Sequence, residues 1–139
     1  MPERTTDSQP SDHREVSRPQ RVLVADDNDD ARDLWSTYLT MSGFEVTGAT
    51  NGADAVAKAV DGLPAVILMD YSMPVMDGAD AVRAIRSHPR TATTPVIGFT
   101  GYGLGAVAGD FGRLCDIILE KPIAPEDLLE AVRRVLRRG

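Results

Sequence analysis

Several large classes of protein are excluded by what this chain lacks. A single cysteine, Cys115, rules out an internal disulfide, and a reducing compartment is the expectation. No apolar run approaches the ~20 residues that span a bilayer. Residues 1–20 mix charges with Pro, Ser, Thr and Gln and contain no apolar stretch, so they do not read as a secretory signal. They also offer almost nothing to bury and are expected to form a disordered tail. Basic residues are outnumbered. The net charge of -6 argues against a nucleic-acid partner, because such proteins present a basic face. The one basic cluster, Arg133, Arg134, Arg137 and Arg138, falls in the last turn of the last expected helix, where cations complement the helix dipole. The two histidines, His13 and His88, have no neighbours at metal-ligand spacing. A cytoplasmic protein without membrane insertion is expected.

What remains has the proportions of one ordinary domain. At 42% hydrophobic and 26% charged, the 139 residues suffice for a core without disulfides or metal staples, and that domain is expected over residues 21–139. Arg21–Ala25 is a short apolar run of the kind that forms a strand buried on both faces, and it ends abruptly in Asp26-Asp27. A helix follows, capped by Asn28 or Asp29, with Ala31, Leu34, Trp35, Tyr38 and Met41 at helical spacing, and Gly43 stops it. Phe44–Ala49 is the second strand. Asn51-Gly52 opens an alanine-rich helix closed by Gly62 and Pro64. Ala65–Met69 is the third strand and ends on Asp70. A loop, Ser72–Gly78, leads to a helix over Ala79–Ser87, which Asp77 is placed to cap. Pro95–Phe99 is the fourth strand and runs into Thr100. Ile117–Leu119 is the fifth, followed by Glu120-Lys121-Pro122, and Pro125–Arg138 is the last helix.

Short apolar strands that alternate with helices imply an α/β fold with a parallel sheet, because parallel neighbours need crossover connections. One segment breaks the pattern. Gly101–Gly112 fills the slot of the fourth helix, yet each interior glycine costs a helix roughly 1 kcal/mol relative to alanine. A short, frayed or missing helix is expected there, and the least ordered part of the domain.

In an open parallel sheet, ligands bind beyond the carboxyl ends of the strands. The residues at those ends are Asp26 and Asp27, Asp70, Thr100 and Lys121. Carboxylates brought together repel unless a cation intervenes. Magnesium suits the conflict: it prefers oxygen ligands and is commonly held by one or two carboxylates plus a phosphate. Phosphoryl transfer needs positioning and charge neutralisation, which Lys121 and the Thr100 hydroxyl would supply, and a carboxylate is a recognised nucleophile for it.

Four fragments carry a family resemblance: Val24-Ala25-Asp26-Asp27-Asn28, Leu68 to Gly78, Phe99-Thr100-Gly101 and Glu120-Lys121-Pro122. In order and at these strand ends, they resemble the receiver domains of bacterial response regulators, over residues 21–138. The resemblance implies a flavodoxin-like doubly wound (βα)5 sandwich around a five-stranded parallel sheet. It implies that Asp70 accepts a phosphoryl group and that Mg2+ is held by Asp26, Asp27, Asp70 and the backbone carbonyl of Ser72. Thr100 and Lys121 would bind phosphoryl oxygens, and the Lys121–Pro122 bond would be cis. The donor would be a histidine kinase or histidine phosphotransfer protein. With no effector module after Gly139, output is expected through a downstream target protein, from a stand-alone signalling unit rather than an enzyme.

Two departures stand out. Receivers commonly carry Tyr or Phe three residues before the lysine, as a movable part of their switch, and here that place is Ile118. Tyr102 is expected over the site instead, where it would screen the phosphoryl group. Two other functions compete with the main reading. A phosphatase using the same aspartyl-phosphate chemistry would place an acid two residues after the nucleophile, where this chain has Ser72. A pseudo-receiver that binds partners without phosphorylation sits poorly with the complete set of acidic, Thr and Lys residues. The nearby glycine run lacks the lysine of a nucleotide-binding loop. Cys115, beside a strand, reads as a small core residue.

Overall fold

The computed structural model describes residues 19–101 and 109–138. Strand β1 (Arg21–Ala25), helix α1 (Asp29–Met41), β2 (Glu45–Ala49), α2 (Gly52–Gly62), β3 (Val66–Asp70) and α3 (Gly78–Ser87) follow in turn. Then come β4 (Val96–Thr100), α4 (Asp110–Leu114), β5 (Ile117–Glu120) and α5 (Pro125–Arg138). All the strand pairings are parallel, in the order β2-β1-β3-β4-β5. This is the doubly wound α/β architecture expected from the alternation. Most of the expected tail and Tyr102–Ala108 of the glycine-rich segment lie outside the described residues; Pro19 and Gln20 are exposed.

Side-chain alternation along the strands divides the core in two. Leu23, Ala25, Ile67, Met69 and Val96 face one way, against Ala55 and Ala59 of α2, Val82 and Ile85 of α3, and Phe111 of α4. Val22, Val24, Leu68, Ile97 and Phe99 face the other way, against Trp35 and Leu39 of α1 and Leu128, Val132 and Val135 of α5. Each of these large apolar side chains contributes about 1.5–3 kcal/mol on burial. The central strand β3 is buried throughout, which is why its sequence is apolar without alternation. Cys115 is partly buried against the first cluster rather than within it, and burial pushes its thiol pKa up to about 12.

Helix starts follow the expected chemistry. Asn28, Asn51 and Asp77 each accept a backbone N–H from three residues on, at Ala31, Asp54 and Asp80. Three details differ from expectation. On α1, Leu34 and Met41 are exposed, because the buried stripe runs through Trp35 and Leu39, and Leu34 lies about 100° around the helix from Trp35. On α2, Gly62 stays helical, and Leu63 takes the left-handed closing position at φ 47°. Several strand and helix ends shift by one residue, as at Val66–Asp70 for Ala65–Met69. Helix α4 has five residues, Asp110–Leu114, preceded by Gly109 at the cap position with φ 98° and no side-chain cap; of the short, frayed or missing helix expected in this slot, the short one is found.

Candidate functional site

The β1–α1 turn is built around Asp26. Its backbone N–H donates to the Ala49 carbonyl at 3.1 Å, and its Oδ1 accepts the Asn28 N–H at 2.9 Å. Arg32 Nη1 donates to the Asp26 carbonyl at 2.8 Å, while its stem lies against Gly48. Asp26 is fully buried and Asp27, its neighbour, is exposed. Asp70 ends the buried β3 and is 5% exposed. Thr100 ends the adjacent β4 and is buried. Its carbonyl accepts the Lys121 N–H at 2.7 Å, which ties the residue after β5 to the end of β4. The Lys121–Pro122 peptide bond is cis, as expected.

Five sequence-derived residues thus come to one edge of the sheet. Asp26, Asp27 and Asp70 each offer an oxygen within 4.8 Å of the others. Lys121 Nζ lies 3.2 Å from Asp70 Oδ1 and 3.5 Å from Asp26 Oδ2. Ser72, two residues past Asp70, is exposed in the β3–α3 loop. Burial raises the pKa of Asp70 from 3.8 to about 6, with help from Asp26 and against the pull of Lys121. For Lys121, burial favours the neutral amine, but the Asp70 and Asp26 carboxylates outweigh it and hold the pKa above the usual lysine value.

The donor set fits a small hard dication. Asp26 Oδ2 is buried and accepts no hydrogen bond among the described residues, a costly condition for a carboxylate oxygen. Three carboxylates against one ammonium leave negative charge in excess, and all the oxygens belong to the hard class that magnesium prefers.

The sequence marks Ser72–Gly78 as a loop but not the backbone contacts that shape this edge. In the β3–α3 loop, Met76 N–H donates to the Pro74 carbonyl at 2.7 Å around Val75, which has φ 70° and is exposed. Gly78 N–H donates to the Tyr71 carbonyl and Gly52 N–H to the Met76 carbonyl, so backbone meets backbone where a Cβ would collide. Arg32 was passed over as well, although it is the only basic residue among Asp26, Asp27, Asp29, Asp30 and Asp33.

Comparisons with known proteins agree with this geometry. The family profile of the response regulator receiver domain matches residues 22–133. The chain is similar to the transcriptional regulatory protein GltR of Pseudomonas aeruginosa, 33% identical over 126 residues that cover 85% of this chain and 49% of GltR. Among solved structures it is similar to the chemotaxis protein CheY4 of Vibrio cholerae, at 33% identity and a TM-score of 0.79, covering 85% of this chain and 99% of that one. The receiver domain of sensor histidine kinase PA1611 from Pseudomonas aeruginosa, solved with a magnesium ion in its active-site cleft, matches at 27% identity and a TM-score of 0.81. That match covers 86% of this chain and 99% of the other. The fold and acidic edge are those of a two-component signalling module, and the chain belongs to the response regulator receiver domain family. Such domains are typically phosphorylated and bind magnesium at their acidic site. The chain spans about half the length of the first curated relatives it matches. No described helix is long and apolar enough to cross a membrane.

Proposed function

We propose that this chain is a receiver, spanning residues 21–139, that accepts a phosphoryl group on Asp70 from a histidine kinase or histidine phosphotransfer protein and signals through a partner protein in the cytoplasm. The observation that carries the reading is Lys121 Nζ at 3.2 Å from the buried Asp70, inside a group of three carboxylates. The likeness to CheY4 over 99% of that chain supports a unit of this size, and the acidic balance supports a protein partner over a nucleic acid.

Asp27, Asp70 and the Ser72 carbonyl would hold Mg2+ directly, with Asp26 binding directly or through water. When bound, the ion supplies positive charge to the transferring phosphoryl oxygens. Lys121 neutralises a second oxygen and Thr100 donates its hydroxyl to a third. An Asp70 carboxylate oxygen forms a bond to phosphorus as the P–N bond of the phosphohistidine donor breaks. The electron pair goes to the imidazole, which takes up a proton. Hydrolysis later returns the carboxylate and inorganic phosphate, so the chain acts on itself and turns over no separate substrate.

The test is intact mass after incubation with acetyl phosphate, with and without Mg2+, on wild type and Asp70→Asn. A magnesium-dependent gain of one phosphoryl group in the wild type alone is expected. An equal gain in Asp70→Asn would move the acceptor elsewhere. No gain at early times, with Mg2+ binding verified, would favour the phosphorylation-independent module.

A further inference from the structure

Phe111 is the centre of the five-residue α4 and is 1% exposed. Its ring packs against one side chain and two glycine backbone positions that lead to the site. The first is Tyr71, the residue after Asp70, whose ring centroid lies 5.0 Å away at an interplanar angle of 59°. The second is Gly98 on β4, where an added Cβ would come within 2.6 Å of Phe111 Cζ. The third is Gly78 at the start of α3, where it would come within 3.0 Å of Phe111 Cε1. Gly98 and Thr100 are two residues apart on one strand and therefore share a face. Ile118 is the register partner of Gly98 and packs in the same cluster as Phe111. The space over β4 beside Ile118 is thus filled by an aromatic ring from α4, admitted because position 98 carries no side chain.

Among the described residues, α4 is otherwise held by Leu114, partly buried against the same cluster, and by polar contacts. Five residues have no helical stability of their own. The Arg83–Asp110 ion pair is exposed, a setting in which such pairs contribute little. Arg86 adds hydrogen bonds to the Leu114 carbonyl at the far end. The ring is the buried anchor, and close-packed interiors pass displacements on rather than absorb them.

We propose that Phe111 is a positioning residue that couples the Asp70 and Thr100 strand ends to α4. The inference rests on the phosphoacceptor reading above. A shift of Tyr71 or of the end of β4, as a phosphoryl group is gripped, displaces the ring and carries α4 with it.

The experiment records amide shifts of Asp110–Cys115 by NMR as beryllium fluoride, a phosphoryl mimic, is added with Mg2+, while fluorine NMR counts the bound mimic. Wild type, Phe111→Leu and Tyr71→Leu are compared. The wild type is expected to shift throughout α4, and both variants to bind the mimic with the α4 response reduced by roughly half or more. If Phe111→Leu fails to fold, Tyr71→Leu carries the comparison. A purely packing role would lower Tm in the variants and leave the α4 response at wild-type size, which would overturn the inference. Mimic bound to wild type with α4 unmoved would also overturn it and leave the phosphoacceptor reading standing. No bound mimic on the wild type would remove that reading, and the inference with it.

Discussion

Lys121 Nζ stands 3.2 Å from Asp70 Oδ1, and the two side chains differ in exposure, 32% for the lysine against 7% for the aspartate. The ammonium keeps part of its hydration while the buried carboxylate depends on it. In the metal-free protein, Lys121→Ala is expected to raise the Asp70 pKa beyond about 6, because a lowering influence is removed. With magnesium and acetyl phosphate it should slow phosphorylation by about a hundredfold, the scale for loss of one preorganised donor. Carboxyl-carbon NMR titration and early-time mass measurements check the two effects. A rate within about threefold of wild type would take Lys121 out of the chemistry.

Asp26 presents the opposite problem, a buried carboxylate oxygen that has the Lys121 ammonium at 3.5 Å yet accepts no hydrogen bond among the described residues. Asp26→Asn retains size and removes a negative charge from the crowded edge. It is expected to raise the Tm of the metal-free domain and to weaken Mg2+ binding by roughly tenfold or more. Calorimetric titration and thermal melts in chelator give both numbers. Unchanged magnesium affinity would show that Asp26 takes no part in holding the ion.

Two strand ends were legible because a functional residue interrupts an apolar run, Asp26 after Val24-Ala25 and Asp70 after Leu68-Met69, while Lys121 follows its run at one remove, after Glu120. Interrupted runs report chemistry, since a charge there must be satisfied at the sheet edge. The supports of the site left no such trace. Gly52 reads as an ordinary helix-start glycine and Gly78 as loop punctuation, yet each lets one backbone meet another across the sequence. The phase of α1 was misjudged because Leu34 and Met41 are as apolar as Leu39, and only packing against α5 and the sheet decides which of them is buried. Phe111 was hidden inside a glycine-rich stretch, and its importance depends on the missing side chain at Gly98.

Glycine contacts therefore make a graded prediction. A Cβ at Gly78 would overlap the Asp70 carbonyl oxygen and come within 2.8 Å of Tyr71 Cα, all of it backbone that cannot swing away. Gly78→Ala is expected to destabilise the domain by about 1–3 kcal/mol and to slow phosphorylation, because the displaced segment carries Asp70. Gly62, inside α2, has nothing within 4 Å of its added Cβ. Gly62→Ala should be neutral or stabilising by up to about 1 kcal/mol. Urea denaturation of the pair tests the contrast, and equal stabilities would contradict the contact geometry.

The last prediction concerns pH. In metal-free protein, burial and then Asp26 raise the Asp70 pKa from 3.8 to about 6, so between those values the folded chain holds a proton that the unfolded chain has released. Asp70 then contributes stability that is complete below about pH 3.8 and is lost as pH rises through about 6. Two pKa units correspond to about 3 kcal/mol, and water on the Lys121 side of the site screens this to about 1–2 kcal/mol. In chelator, Asp70→Asn should melt above wild type at about pH 7.5, with the gap closing towards about pH 4. Magnesium should raise the wild-type Tm at the higher pH by binding the folded state, and should do so far less for Asp70→Asn. Thermal melts at both pH values, with chelator or Mg2+, read all four combinations. A gap of the same size at both pH values would mean that Asp70 titrates in the ordinary carboxylate range, and that the crowding of its neighbours is relieved by the protein alone.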